Sequence, residues 1–171
     1  PFPFMIKIIT ATKDQLTEVQ KIAHITWPKT FSDTLTPSQI DYMMEWMYDL
    51  DALEAQVTDK NHVFLLAEKD GEYVGFCSYE LNSANTGKVK IHKLYLLPDV
   101  QRKGIGRQLI AEVWLIAKKH AYEFIYLNVN RFNLKAIQAY LAMGFYESRR
   151  EVIEIGNGFV MDDIVMEMKL Y

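Results

Sequence analysis

Between Lys88 and Asn130 the chain reads strand, helix, strand, and that order constrains the fold more than any other feature. Lys88 to Leu96 has strand character, Gly104 to about Ala121 is a long helical stretch, and Phe124 to Asn130 is again a short strand. Two strands joined through a crossover helix lie parallel, whereas a two-residue turn joins only antiparallel neighbours. Elsewhere the signals are antiparallel. Asp70-Gly71 joins Val63–Lys69 to Glu72–Leu81, and Gly156-Asn157-Gly158 separates the last two strands. The final strand sets Ile164, Met166, Met168 and Leu170 against Glu167 and Lys169.

Helix starts are equally legible. After a strand from Met5 to Ala11, Thr12 and Gln15 form one capping box, and Thr36 and Gln39 a second, with Pro37 at the first helical position. Ile40, Met43, Met44 and Met47 give the second helix its apolar face, and a short helix follows Asp51. Asn133 to Met143 forms a helix with Asn133 as N-cap and Gly144 as its stop. The sum is an α/β (α+β) domain with a mixed, mostly antiparallel sheet of six to seven strands, four to five helices and one central parallel pair. Asn82 to Gly87 is a turn-rich loop, and Pro1 to Phe4 is a ragged start.

At 171 residues the chain is one domain, 1–171, long enough to bury about two-thirds of its unfolded surface without metal or disulfide. Its single cysteine, Cys77, has no partner for an internal bridge. The longest stretch free of charge, Ala136 to Tyr146, is 11 residues, well short of the roughly 20 a membrane span needs. With no signal-peptide pattern, the expected location is the cytoplasm. Nineteen basic against 22 acidic residues argue against nucleic acid as a partner.

The chemistry concentrates in Leu94-Tyr95-Leu96-Leu97-Pro98-Asp99-Val100-Gln101-Arg102-Lys103-Gly104-Ile105-Gly106-Arg107. A strand ends, a basic loop carries two glycines one residue apart, and a helix begins. Unbonded first-turn amides and the positive end of the helix dipole suit a pyrophosphate, with Arg102, Lys103 and Arg107 adding charge. It is not a Walker loop, since Arg107-Gln108 follows Gly106, nor a dinucleotide fingerprint, since position 109 is Leu109. In the preceding strand, apolar residues move from odd positions (Val89, Ile91) to even ones (Leu94, Leu96). That change implies either burial on both faces or a bulge near His92 or Lys93. Farther on, Asn133, Ala136 and Tyr140 share one helix face.

Gln101-Arg102-Lys103-Gly104-Ile105-Gly106 resembles the Gln/Arg-x-x-Gly-x-Gly/Ala loop of the GNAT superfamily of acyl-CoA-dependent N-acetyltransferases. Asn133-x-x-Ala136-x-x-x-Tyr140-x-x-x-Gly144-Phe145 resembles its second motif, and the element order agrees from Met5 to Leu170. The resemblance implies splayed central strands and acetyl-CoA as co-substrate. Backbone groups of Leu94, Tyr95 and Leu96 would hold the pantetheine arm and acetyl carbonyl, and amides from Arg102 to Arg107 the pyrophosphate. Asn133 would reach the pantetheine, and Tyr140 would sit near the sulfur.

The reaction then needs an acid and a base. Tyr140, with a phenol pKa near 10, can protonate a thiolate whose thiol lies near 8.5. Many relatives place a glutamate base on the central strand; here the matching position is His92, competent near neutrality, with Glu80 on the neighbouring strand as the substitute. A lone strand histidine is as a rule structural, so the base stays open between His92, Glu80 and water. His24, His62 and His120 have no motif around them and read as surface or packing residues, and no Cys/His cluster at ligand spacing calls for a metal.

For the acceptor, Thr26 to Asp33 and Tyr42 to Asp49 supply aromatics and carboxylates, and Asp162-Asp163 adds two more acids. These suit a cationic amine, although Tyr42 and Trp46 also read as helix-face core and Asp33 and Asp49 as solvated. The N-terminal helices and the Asp-Asp pair resemble the bacterial spermidine/spermine acetyltransferase branch. A small amine acceptor such as a polyamine therefore comes first, then a peptide or protein amine. An acyl-CoA-binding module without turnover is the reading from a different class. Relatives that dimerise imply a homodimer through an exposed edge or the C-terminal hairpin.

Overall fold

Turn and cap chemistry fixes most element boundaries in the computed structural model, which describes residues 5–171. Pro1 to Phe4, the ragged start, lie outside the described residues. Seven strands follow one another across the sheet in the order β1-β2-β3-β4-β5-β7-β6, accompanied by five α-helices. The strands are β1 (Ile6–Thr10), β2 (Val63–Lys69), β3 (Glu72–Glu80), β4 (Val89–Leu96), β5 (Phe124–Asn130), β6 (Tyr146–Gly156) and β7 (Phe159–Lys169). The helices are α1 (Leu16–Phe31), α2 (Pro37–Tyr48), α3 (Leu50–Thr58), α4 (Ile105–Lys119) and α5 (Leu134–Ala142). None of them is long and apolar enough to cross a membrane. By its contacts the chain divides into two units, one running to Tyr79 and taking in Lys93–Val113, the other comprising Glu80–His92 and Trp114–Tyr171.

In the first unit β1, β2 and β3 form an antiparallel meander, with registers Ile6↔Lys69 and Lys69↔Glu72 at the hairpin end. Asp70 and Gly71 both have positive φ, 52° and 82°, as a two-residue type I′ turn requires. The Gln15 side chain accepts a bond from the Thr12 amide at 2.8 Å, and Thr36 Oγ1 accepts one from the Gln39 amide at 3.2 Å, so both caps form where the sequence places them. A chain of rings fills the core: Trp27 against Phe31 (centroids 4.4 Å apart) and Tyr95 (5.7 Å), and Phe76 against Tyr48 (6.1 Å) and Tyr95 (5.8 Å). Trp27 Nε1 donates to the Tyr48 hydroxyl at 3.0 Å, and burial raises the Tyr48 pKa well above its ordinary value. Cys77 is also packing; burial pushes its thiol up to about 12, far from a reactive thiolate. Trp46 departs from the core reading. It is 47% exposed because the inward stripe of α2 runs through Ile40, Met43, Met44 and Tyr48, leaving position 46 off it.

The second unit is built on β7, which pairs antiparallel with β5 (Phe124↔Lys169 to Asn130↔Asp163) and with β6 (Tyr146↔Glu167 to Gly156↔Phe159). The parallel pair sits beside it: Val89↔Ile125, Lys90↔Tyr126 and Ile91↔Leu127. The polar face of β7 is itself largely covered. Asp163 to Glu167 are buried without interruption, because β7 has a strand on each side and side-chain partners reach its polar face. Glu167, 5% exposed, binds the Lys88 ammonium and the Ser148 hydroxyl. Burial alone would raise its pKa, but those two hydrogen bonds and the Lys88 charge hold it below the ordinary carboxylate value.

Glu167→Gln keeps the shape and removes the charge, so it should cost ~1–3 kcal/mol of unfolding free energy at neutral pH. Because the folded pKa is depressed, this contribution is present above the ordinary carboxylate value and disappears as pH falls through the folded one. Urea denaturation of both forms at pH 7 and pH 3 checks it: the difference should shrink in acid.

Candidate active site

The glycine loop lies wholly in the first unit, where the end of β4 is drawn onto β3. Leu97 N donates to Val74 O at 2.8 Å. A Cβ placed on Gly75 would meet Leu96 Cδ2 at 2.4 Å and the Tyr95 carbonyl oxygen at 3.2 Å, so a side chain there would have to displace the Leu96 tip and crowd the Tyr95 backbone. Of the two readings of the parity change, full burial on both faces is not what β4 shows. Burial keeps to odd positions through Lys93, so the buried site falls to a lysine, 8% exposed. Its ammonium donates to Gln56 Oε1 at 2.7 Å and lies 5.6–5.7 Å from the Phe64 and Tyr48 rings, which makes that burial tolerable. Leu94, Tyr95 and Leu96 follow, all half-buried.

A one-turn 3-10 segment (Pro98–Val100) leads on, and Gln101 Nε2 donates back to Leu96 O at 3.3 Å. Arg102 (φ 64°) and Gly104 (φ 84°) are left-handed, which turns the chain sharply into α4. The first helical bond runs from Gln108 N to Gly104 O at 3.1 Å, so the amides of Gly104, Ile105, Gly106 and Arg107 precede the helix's own ladder. Ile105, Leu109, Ile110 and Val113 anchor the helix in the core, while Arg102, Lys103 and Arg107 stay exposed. A Cβ on Gly106 would make only ordinary contact, 3.5 Å from Leu96 Cδ1, so packing within the chain does not demand glycine there. Amides, exposed cations and a bare backbone together fit an oxygen-rich anion.

His92, Glu80, Asn133, Ala136 and Tyr140 lie in the second unit. The sequence left His92 and Glu80 as alternatives, and the structure pairs them: His92 Nε2 is 2.9 Å from Glu80 Oε1. Ser83 Oγ donates to the same carboxylate oxygen at 3.0 Å. On α5, the Asn133 side chain accepts from the Ala136 amide at 3.3 Å, as the cap requires. Asn133, Ala136 and Tyr140 are each half-buried, and the Tyr140 ring packs edge-on against Phe145, 5.6 Å between centroids. Gly144, at φ 102°, stops the helix where the sequence places it.

Sequence reasoning missed a polar row on the sheet. Strand registers put Lys90 on the face of Tyr126, and Asn128, Asp163 and Glu151 on that same face. Asn128 Nδ2 reaches both Glu151 Oε2 (3.1 Å) and Asp163 Oδ2 (3.3 Å). Burial raises the Asp163 pKa, whereas for Glu151 the Arg149 and Asn128 hydrogen bonds outweigh burial and hold it low. Burial lowers the Lys90 pKa against the pull of those acids. The available signal was Asn128, a lone amide inside the run Phe124–Val129. Of the other acids proposed for the acceptor, Asp162 is engaged by Arg131 at 3.2 Å, and Asp33 and Asp49 are exposed. Tyr42 is half-buried, His62 is buried, and His24 and His120 are exposed.

Residues 18–145 match the model of the acetyltransferase (GNAT) family. The chain belongs to the GNAT acetyltransferase family. Among its relatives is an uncharacterised N-acetyltransferase from the pepI 3′ region of Lactobacillus delbrueckii subsp. lactis, 22% identical over 157 residues, 89% of this chain and 91% of that one. Streptothricin acetyltransferase of Streptomyces lavendulae is 30% identical over 95 residues, covering 56% and 49%. Among solved structures, PaiA N-acetyltransferase from Thermoplasma acidophilum, in complex with coenzyme A, superposes with a TM-score of 0.80. It is 24% identical and aligns over 96% of this chain and 99% of its own, a shared fold. This GNAT domain is thus an acetyl-CoA-dependent N-acetyltransferase, with acetyl-CoA as co-substrate.

In this GNAT domain, Gly75→Val should force apart the backbone at Tyr95 and Leu96 and cost ~1–3 kcal/mol. A denaturation midpoint equal to the parent's would show that β3 and the end of β4 do not approach so closely.

Proposed function

We propose that this enzyme transfers the acetyl group to a primary amine by direct attack, and that the amine is a small cation of the polyamine class. Acetyl-CoA supplies a thioester whose carbonyl carbon accepts the amine nitrogen. Amides from Arg102 to Arg107, with the three exposed cations, hold the pyrophosphate. Backbone groups of Leu94, Tyr95 and Leu96 orient the pantetheine arm and polarise the acetyl carbonyl, and Asn133 reaches the pantetheine.

An alkylamine is protonated at neutral pH and must shed a proton before it attacks. The observation that carries the reading is the Glu80–His92 pair. With Nε2 turned to the carboxylate, the neutral imidazole keeps its proton there and Nδ1 is the basic nitrogen. Glu80 then stabilises the imidazolium formed when His92 takes the amine proton, and Ser83 fixes the carboxylate. Tyr140 donates its phenolic proton to the departing thiolate. Support for a cationic acceptor comes from the carboxylates on this sheet face: Glu151 and Asp163 lie on the face that also carries Lys90, two residues from His92.

Thiol release with polyamines and with monoamines as acceptors tests the class, with the polyamines expected to turn over faster. Tyr140→Phe should lower kcat about tenfold or more with acetyl-CoA affinity unchanged; an unchanged kcat removes it as the acid. His92→Ala should abolish the acidic limb of the pH–rate profile. Glu80→Gln should instead move that limb to lower pH, because losing the neighbouring negative charge lowers a histidine pKa. A limb unmoved by both substitutions excludes the pair as the base.

A further inference from the structure

The lysines along β4 stand in different chemical states. Lys88, one residue before the strand, is bound to the Glu167 carboxylate, and Lys93 donates to Gln56 in the core. Lys90 is half-buried, and among the described residues it has neither hydrogen bond nor ion pair; its ammonium lies 5.7 Å from the centre of the Tyr126 ring. Burial lowers its pKa against the pull of Glu151, Asp163 and Glu80, and Arg149 adds to the lowering, so this amine gives up its proton more readily than an ordinary lysine. A desolvated lysine of that kind is an activated nucleophile.

Its position is as telling as its state. Side chains alternate along β4, so Lys90 shares a face with His92, two residues or roughly 7 Å further along the strand. Glu80 connects them: its carboxylate lies 2.9 Å from His92 Nε2 and acts on the Lys90 charge as well.

We propose that Lys90 is an internal acetyl acceptor, its side-chain amine taking the acetyl group from bound acetyl-CoA when no other amine is present. The inference rests on the reading that the acetyl group sits beside the β4 backbone and near His92. The transfer balances without a further reactant. The neutral Nζ attacks the thioester carbonyl carbon, and a C–N bond forms as the C–S bond breaks. The surplus proton on nitrogen passes to the departing thiolate, and CoA leaves as the thiol. The flexible four-carbon stem gives the amine its reach. The product is a stable amide, so one acetyl group accumulates per chain. Acetylation also removes a positive charge that acts on both Glu151 and Asp163, which leaves that row more negative toward a cationic acceptor.

Incubation of the whole chain with acetyl-CoA and no added amine, followed by peptide mass mapping, tests this. Lys90 should be acetylated at least about tenfold faster than the exposed Lys7, Lys29 and Lys60, because its reaction takes place within one bound complex. The rate per chain should be unchanged on dilution of the protein at saturating acetyl-CoA, and the chain unfolded in urea should lose the preference. Lys90→Arg should still bind acetyl-CoA by calorimetry and show no fast-reacting lysine. Bound acetyl-CoA with Lys90 unmodified, or modified no faster than the exposed lysines, overturns the inference; so does a rate that falls on dilution, which places the reaction between copies. Turnover of an added polyamine in the same sample then leaves the acetyltransferase reading standing. A chain that acetylates neither Lys90 nor any amine overturns both.

Discussion

β4 lies between β3 and β5 in the sheet, and the glycine loop follows directly from its end. Its first residues pair with β5 in a parallel register that includes Val89↔Ile125, Lys90↔Tyr126 and Ile91↔Leu127. Its last residues lean on β3, where Leu97 donates to Val74 and the absence of a side chain at Gly75 lets Leu96 approach. Between the two lies His92-Lys93. Beyond Leu96 the chain leads through Pro98–Val100 into the left-handed turns at Arg102 and Gly104.

The cost of that arrangement is borne by buried polar groups, each supplied with partners. Lys93 occupies a core position and is met by Gln56 and two aromatic rings; Glu167 is met by Lys88 and Ser148. Glu151 and Asp163 divide one amide between them and respond oppositely, the first held low by Arg149 and Asn128 and the second raised by burial. The Glu80–His92 contact, 2.9 Å, joins in one pair two of the residues the sequence left as candidate bases.

Features written in local chemistry were legible beforehand. Thr36-Pro37, Asp70-Gly71, Asn133 and Gly144 set caps and turns through their own side chains or backbone freedom, and each stands where the sequence places it. The loop from Gln101 to Arg107 was legible for the same reason, since glycine spacing and a helix start are local. What escaped depended on distant strands. The burial of Glu167 and Asp163 follows from β7 lying between β5 and β6, which no residue of β7 announces. The exposure of Trp46 and the burial of Lys93 are set by what packs against α2 and β4, so the helix-face core reading of Trp46 failed and the buried lysine went unread.

The most direct measurement is calorimetric titration of the whole chain with acetyl-CoA at two salt concentrations, beside a variant carrying Arg102→Ala and Arg107→Ala. The account predicts one site per chain, with affinity falling as salt rises and a shallower salt dependence in the variant, because exposed cations and helix-start amides hold the pyrophosphate. Binding that is indifferent to both salt and substitution, or no heat at all, would contradict the assignment of the Arg102–Arg107 loop.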